Sequence, residues 1–378
     1  MKVPVNDFSV KWHFYNIINR GGAFLLICSI SIFAVLAFLL CIAFVPLVIR
    51  FCKTYSLYDF VNSRKIHSGN IPRLGSVAIV LSFLIAVLLC LFKEQNLSVK
   101  NSVPLIVAGS LIFLFGIIDD IKNLRAIFKL LIQLVACASV VLGGYRFRQI
   151  FGFVLPKYAG MALTFCWILG IVNAYNLIDG MDGLCGTLSL TALVTAGLLL
   201  RGSFWEGTAI CFVLAASIAG FLVYNLPAPN AKIFLGDGGS QFLGFMIATI
   251  PLYSTSARLE YNKFFMMLVL VSFPMMDTIA AIWRRLRDHR PIMSPDKYHL
   301  HHKLLNIGFN KVQALFIVAL IQILLCAVVV FASYQRQKIA TSILVCAYIF
   351  MICLFSAIHY VNKAVTRRIL NRDRELRK

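Results

Sequence analysis

Long apolar runs separated by short polar interruptions extend the length of this chain. A helix needs about 20 apolar residues to cross a bilayer. On that measure, spans fall near 23–49, 75–92, 103–118, 127–143, 160–178, 186–200, 208–225, 239–253, 264–283, 312–333 and 341–361. The expected fold is therefore all-α, a polytopic integral membrane protein with about 11 transmembrane helices. No internal repeat or low-complexity linker interrupts the pattern. Residues 1–378 read as one transmembrane domain, with an N-terminal segment (1–22) and a basic tail (362–378).

Composition agrees. Sixty per cent of residues are hydrophobic and 13% charged, with a mean hydropathy of +0.85, whereas a soluble chain carries about a quarter charged residues. The net charge of +21 is read by location, because Lys and Arg collect in cytoplasmic loops. One set of connections holds Lys53, Arg64, Lys65, Arg73, Lys122, Arg125, Lys129, Lys232, the Arg284–Lys303 loop and the tail; the opposite set has roughly half as many. The first set is expected in the cytoplasm with the C-terminus, and the odd span count puts the N-terminus outside. Lys2, Lys11 and Arg20 pull the other way, but five elements outweigh one. The run Ala23 to Ile49 is too long for a signal-peptide core. The eleven cysteines form no Cys-x-x-Cys pair and lie mostly in apolar runs, so neither a disulfide framework nor a zinc site is expected.

Polar residues inside this pattern carry the chemistry. Asp119, Asp120, Asp179, Asp182, Asp237 and Asp277 lie at or just inside the ends of apolar runs, all at the end assigned to the cytoplasm. A carboxylate within a span costs about 2.5–3.5 kcal/mol, so such residues are usually paired or functional. Asp119 and Asp120 end the third run, where both reach one shared site if the helix frays. An interfacial pair offset by Lys122 and Arg125 is the other reading. Asn173, Asn176, Asp179 and Asp182 recur every three residues, a spacing that stays roughly on one face of a helix or tight turn. Gly180, Gly183 and Gly186 let the backbone approach a ligand and offer N–H groups to an anion.

Phe234-Leu-Gly-Asp-Gly-Gly-Ser240 opens the eighth run, with Ser240 a candidate N-cap and Asp237 a candidate Mg²⁺ ligand. His299, His301 and His302 lie among Arg and Lys, which suits donors to a polyphosphate better than a transition-metal cluster. Asp277 reads equally as a structural partner of Arg284. Arg64, Lys65 and Arg73 read either as a phosphate-facing entry or as plain topology signals.

Five motifs together resemble the polyprenyl-phosphate N-acetylhexosamine-1-phosphate transferase superfamily, glycosyltransferase family 4. They are Ile71-Pro-Arg-Leu-Gly75, Gly116-Ile-Ile-Asp-Asp120, Asn173-Ala-Tyr-Asn-Leu-Ile-Asp-Gly-Met-Asp-Gly-Leu184, Phe234 to Ser240 and His299-Leu-His-His302, in family order across residues 64–310. Ser76 and Cys185 depart from the family's Gly and Ala, small for small. The His-x-His-His form looks like the bacterial branch that transfers GlcNAc-1-phosphate from UDP-GlcNAc to undecaprenyl phosphate and begins O-antigen, common-antigen or teichoic-acid linkage synthesis. The translocase for UDP-MurNAc-pentapeptide is the alternative within the family. A secondary transporter is the rival from another class, disfavoured because its ion sites lie near the midplane of paired repeats.

The resemblance implies roles. Asp119 is the carboxylate proposed to take the lipid phosphate proton, with Asp120 beside it, and Asp237 is the Mg²⁺ ligand, with Mn²⁺ as a substitute. Asn173, Asn176, Asp179 and Asp182 surround the nucleotide diphosphate, Lys129 and Arg73 meet phosphate, and His299, His301 and His302 border the sugar-nucleotide pocket. The partners implied are a UDP-sugar, undecaprenyl phosphate and membrane lipid, with no nucleic acid; a homodimer is compatible. The implied location is the bacterial inner membrane, with the site facing the cytoplasm.

Overall fold

The computed structural model describes residues 6–59, 71–94, 97–122, 124–227, 230–254, 256–291 and 299–376. In chain order the helices are α1 (Asn6–Thr54), α2 (Gly75–Lys93), α3 (Val99–Lys122), α4 (Ala126–Leu142), α5 (Lys157–Ile178), α6 (Leu184–Leu200), α7 (Trp205–Asn225), α8 (Asp237–Thr249), α9 (Ala257–Glu260), α10 (Lys263–Leu270), α11 (Ser272–Arg287), α12 (Leu300–Ile307), α13 (Lys311–Ser333) and α14 (Gln337–Leu376). Two two-residue hairpins join them: β1 (Tyr58–Asp59) with β2 (Ile71–Pro72), and β3 (Gln149–Ile150) with β4 (Phe153–Val154). The all-α expectation holds. The helix at the N-terminus starts before the first apolar run, at Asn6. Arg64 and Lys65 lie outside the described residues.

The span count differs from expectation. Among the described residues, seven helices are long and apolar enough to cross a membrane, or eight if the bent pair α10–α11 counts as one. Three of the expected crossings are carried by shorter helices, so the count of about 11 is not confirmed. Helices α4 and α6 have 17 residues each, about 25 Å at 1.5 Å per residue against a layer of about 30 Å. Helix α8 has 13. Hydrophobic runs do not reveal where a helix stops: α4 ends before Gly143, α6 before Arg201, and α8 gives way to a 3-10 turn at Ile250–Tyr253 that contains Pro251.

Helix α8 lies inside the bundle: every residue from Gly238 to Thr249 is buried. It packs on α3 and α5, and glycine makes both approaches close. A Cβ on Gly116 of α3 would stand 2.3 Å from Gly238 Cα, and one on Gly244 of α8 would stand 2.8 Å from Tyr175 Cβ of α5. Phe242 then meets Phe83 and Phe113 at ring separations of 6.0 and 6.2 Å.

The bend between α10 and α11 is 77°, and Pro274 explains it. A proline ring lacks an N–H and crowds the carbonyl four residues back, here Leu270 O. That carbonyl accepts the Gln322 side-chain amide of α13 at 2.9 Å instead.

Candidate active site

The loop before α8 is clamped to the loop before α2. Phe234 N donates to Pro72 O at 2.7 Å, and Gly75 N to Phe234 O at 2.9 Å. This pairing sets Arg73 beside the first turn of α8. Gly236, the residue before that turn, has φ +83°, and a Cβ there would meet Arg73 O at 2.4 Å and Asp120 Oδ2 at 2.7 Å, so only glycine fits. Having no side chain, Gly236 cannot cap α8. Asp120 of α3 does so: its Oδ1 accepts Asp237 N at 2.9 Å, its Oδ2 accepts Gly238 N at 3.1 Å, and Arg73 Nη2 donates to Oδ1 at 3.0 Å. Ser240, the expected N-cap, sits in the first turn and back-bonds to Gly236 O instead.

Asp119 points elsewhere, because adjacent helical residues are about 100° apart. Its Oδ1 accepts Leu124 N at 2.8 Å and its Oδ2 pairs with Lys129. The Lys129 ammonium also reaches Asp237 Oδ2 at 3.2 Å. One cation therefore bridges two carboxylates, of which Asp119 is buried and Asp237 has 35% of its side chain exposed. Burial pushes the Asp237 carboxyl up, but its side-chain contact with Asp119 and the charges of Lys129 and Arg73 bring it below its ordinary value. Beside Lys129, the apolar side chains of Ile112, Phe115, Phe128 and Ile132 line a groove between α3 and α4.

From this groove an amide chain leads to α5. Asn173 Nδ2 donates to Gln133 Oε1 at 3.0 Å, and Gln133 Nε2 to Gln241 Oε1 at 3.0 Å. Sequence reasoning missed both glutamines. Their signal was present: each is a lone amide in an apolar run, where an unpaired polar group is costly.

The 173–186 stretch does not present one face. Helix α5 ends at Ile178, and three-residue steps drift by about 60° on a 3.6-residue helix. Asn173 turns to α4, Asn176 Nδ2 donates to Ser240 Oγ of α8 at 3.0 Å, and Asp182 Oδ2 meets Lys311 Nζ of α13 at 3.1 Å. The turn is tied down at Gly183, φ +73°, whose N–H donates to Asn225 Oδ1 at 3.0 Å. Asn225 Nδ2 in turn donates to Ile233 O at 2.8 Å. Asp179, partly exposed but set deep at the helix end, has its carboxyl pushed well above the usual range by burial and then by Asp237, Asp120 and Asp182.

The histidines sit behind this turn. Asp277 pairs with His299 and the chain beyond it, not with Arg284: Oδ2 lies 2.8 Å from His299 Nδ1, and Oδ1 accepts Leu300 N at 2.8 Å. Asp277 thus straps the start of α12 to α11. The His299 and His301 rings stack 6.0 Å apart, and His302 lies 4.3 Å from His301. His301 is buried against Gly180, where a Cβ would meet its Cε1 at 2.5 Å. Burial, with His302 and His299 nearby, pushes its imidazole down to about 3, so His301 is neutral and packs the turn.

Arg73, Asp119, Asp120, Lys129 and Asp237 thus meet directly, with Asp179 in their field, while Asn176 joins through Ser240. Asp182 lies in the turn itself, facing Lys311, and the histidines border that turn from outside. Among the described residues no group of three or more His, Cys, Asp or Glu could hold a metal ion. A half-exposed carboxylate beside a buried one does fit Mg²⁺, which takes one or two carboxylates and completes its shell with water and substrate phosphate.

The glycosyl transferase family 4 profile matches residues 102–255. The chain is 33% identical over 284 residues to a probable undecaprenyl-phosphate N-acetylglucosaminyl 1-phosphate transferase of Bacillus subtilis (strain 168), covering 73% of this chain and 77% of that one. It is 29% identical to the undecaprenyl-phosphate alpha-N-acetylglucosaminyl 1-phosphate transferase of Escherichia coli (strain K12), covering 76% and 79%. With the decaprenyl-phosphate N-acetylglucosaminephosphotransferase of Mycobacterium leprae (strain TN) it shares 34% identity, covering 66% and 70%.

Proposed function

The chain belongs to glycosyl transferase family 4, and from that premise we propose that it transfers N-acetylglucosamine 1-phosphate from UDP-GlcNAc to undecaprenyl phosphate, releasing UMP, with Mg²⁺ as cofactor. The observation that carries this reading is the Lys129 ammonium, held between Asp119 and Asp237 at the edge of an apolar groove. A polyprenyl phosphate needs that combination: an apolar wall for its chain and a fixed cation for its headgroup.

An oxygen of the lipid phosphate attacks the β-phosphorus of the UDP-sugar. The new P–O bond forms as the bond from the β-phosphorus to the bridging oxygen breaks, and that oxygen leaves on UMP. Attacker and target are both anions, so the protein's task is positioning and charge stabilisation. Bound Mg²⁺, held by Asp237 with Asp119 adjacent, would neutralise the diphosphate and the leaving phosphate. Lys129 holds the lipid phosphate. Asp119 positions Lys129: both its oxygens are engaged, which favours this role over nucleophile. A phosphate monoester has its second pKa near 6 and loses its proton at neutral pH without a strong base. Arg73 and Asp120 fix the start of α8, and the 173–186 turn with the histidines receives the nucleotide sugar.

These relatives, named for transfer of N-acetylglucosamine 1-phosphate or N-acetylglucosaminephosphate, favour GlcNAc over MurNAc-pentapeptide. The seven or eight spans and the Lys and Arg distribution support a bacterial inner-membrane site facing the cytoplasm. Purified protein with undecaprenyl phosphate and Mg²⁺ is expected to release UMP from UDP-GlcNAc. Absence of turnover with every UDP-HexNAc would overturn the enzyme reading. Turnover only with UDP-MurNAc-pentapeptide would keep the family and overturn the sugar.

A further inference from the structure

Helices α4 and α8 are joined by two side-chain contacts in register. Lys129 of α4 meets Asp237 of α8 at 3.2 Å, and four residues further along each helix Gln133 meets Gln241 at 3.0 Å. Residues four apart share a helix face, so the contacts form two rungs, about 6 Å apart. The first rung is ionic. The second, one turn deeper among the buried residues of α8, is a pair of neutral amides, Gln133 being 3% and Gln241 5% exposed.

The hydrogen bonds fix how these amides are turned. Leu169 O is a carbonyl and can only accept, so the Asn173 atom 2.8 Å from it is Nδ2. The same nitrogen donates to Gln133 Oε1 at 3.0 Å, which leaves Gln133 Nε2 to donate to Gln241 Oε1 at 3.0 Å. The chain of donors ends on Gln241 Nε2. Among the described residues this nitrogen donates to nothing, and it is not one of the fully enclosed atoms without a partner. Gln241 lines the groove together with Gln133, Asp119 and Lys129. The free N–H groups of a nearly buried side chain therefore open on the groove, where an unpaired donor is costly.

A strut joining α4, α5 and α8 would account for Gln133 and for Gln241 Oε1, but not for a donor opening on an apolar groove. An anion at the Lys129 rung would. Two hydrogen bonds of about 2.9 Å, one from each rung, bridge the gap between them through a single phosphate. A charged side chain one turn deeper would be expensive. An amide supplies a donor to an anionic oxygen without adding charge.

We propose that Gln241 binds the acceptor: its Nε2 donates to an oxygen of the lipid phosphate on the prenyl side of Lys129, and Gln133 and Asn173 are positioning residues that keep the amide turned that way. This role rests on the reading of Lys129 as the holder of that phosphate. It adds a neutral contact at the point where the headgroup meets the apolar wall.

Binding of undecaprenyl phosphate to the full chain, in a non-ionic detergent with EDTA, tests this without turnover. The double variant Gln133→Leu with Gln241→Leu replaces both amides by apolar groups, which leaves no donor or acceptor of the rung unpaired, and Asn173 keeps Leu169 O. Its Tm is expected to stay near that of wild type while its Kd for undecaprenyl phosphate rises about ten- to hundredfold. Gln133→Leu alone leaves the Gln241 amide present but unoriented, and is expected to weaken binding less. If the double variant fails to fold, Gln241→Glu at pH 8 keeps the bond from Gln133 and replaces the donor by a charged acceptor. It is expected to weaken binding by at least as much. A Kd for undecaprenyl phosphate equal to that of wild type in the folded variant would overturn the role of Gln241. An equal loss with undecaprenol, which has no phosphate, would overturn the phosphate as the group it contacts. Failure of wild type itself to bind undecaprenyl phosphate would instead overturn the acceptor reading of the groove, and the role of Gln241 with it.

Discussion

Asp120 and Asp237 are cap and capped residue: the Asp120 carboxylate accepts the Asp237 N–H at 2.9 Å and the Gly238 N–H at 3.1 Å. One acid thereby sets the backbone from which the other points at Lys129. Asp120→Ala removes both acceptors and breaks the 3.0 Å ion pair with Arg73. The expected loss is about 3 kcal/mol of stability, read as a fall in Tm in detergent, together with loss of turnover. Asp120→Asn keeps one acceptor and should lose less.

Lys129 joins Asp119 to Asp237. If it holds the lipid phosphate in the transition state, Lys129→Gln lowers kcat about 10²–10³-fold and changes the KM for UDP-sugar little. Lys129→Arg is not expected to rescue, because a planar fork cannot replace a point charge between two acids. Steady-state kinetics with both substrates varied checks this, and a pure KM effect would contradict it.

Asp237, half exposed beside that cation, is the proposed metal ligand. EDTA is expected to abolish turnover and Mg²⁺ to restore it. Asp237→Asn should shift the Mg²⁺ activation curve at least about tenfold to higher concentration. An unshifted curve would remove Asp237 from that role.

A methyl on Gly180 would stand 2.5 Å from His301 Cε1. Gly180→Ala therefore costs about 1–3 kcal/mol by overpacking. Adding His301→Ala should recover part of that loss, because the second change makes room. The four-member thermal cycle measures the coupling, and simple additivity would mean the ring does not press on the turn.

The Asp179 carboxyl lies well above its unfolded value, so the folded chain binds that proton more tightly than the unfolded one. The stability it contributes is complete below about pH 4 and is lost as pH rises through the folded value. In EDTA, Asp179→Asn should thus raise Tm at pH 7–8 and gain nothing near pH 4. His301, pushed down to about 3, should contribute no titration between pH 5 and 8.

Hydrophobic patterning alone determined the helical class and the location of the runs, because a bilayer demands long apolar segments whatever packs beside them. The six intramembrane acids were equally legible, since each is costly in an apolar run unless it has a partner or a task. Which partner each one has was not legible, for it depends on segments meeting in space, some more than a hundred positions apart, as Asp120 with Asp237 and Asp182 with Lys311. Asp119 and Asp120 are neighbours in the chain, yet one turns to Lys129 and the other to the start of α8. The regular spacing of Asn173, Asn176, Asp179 and Asp182 suggested a single face, and only the end of α5 at Ile178 and the drift of a 3.6-residue helix sent them to different partners. Gln133, Gln241 and Lys311 became visible for the same reason. Composition governs which segments leave water; the geometry of close helix packing, through Gly116, Gly180 and Gly236, decides which polar groups then find each other.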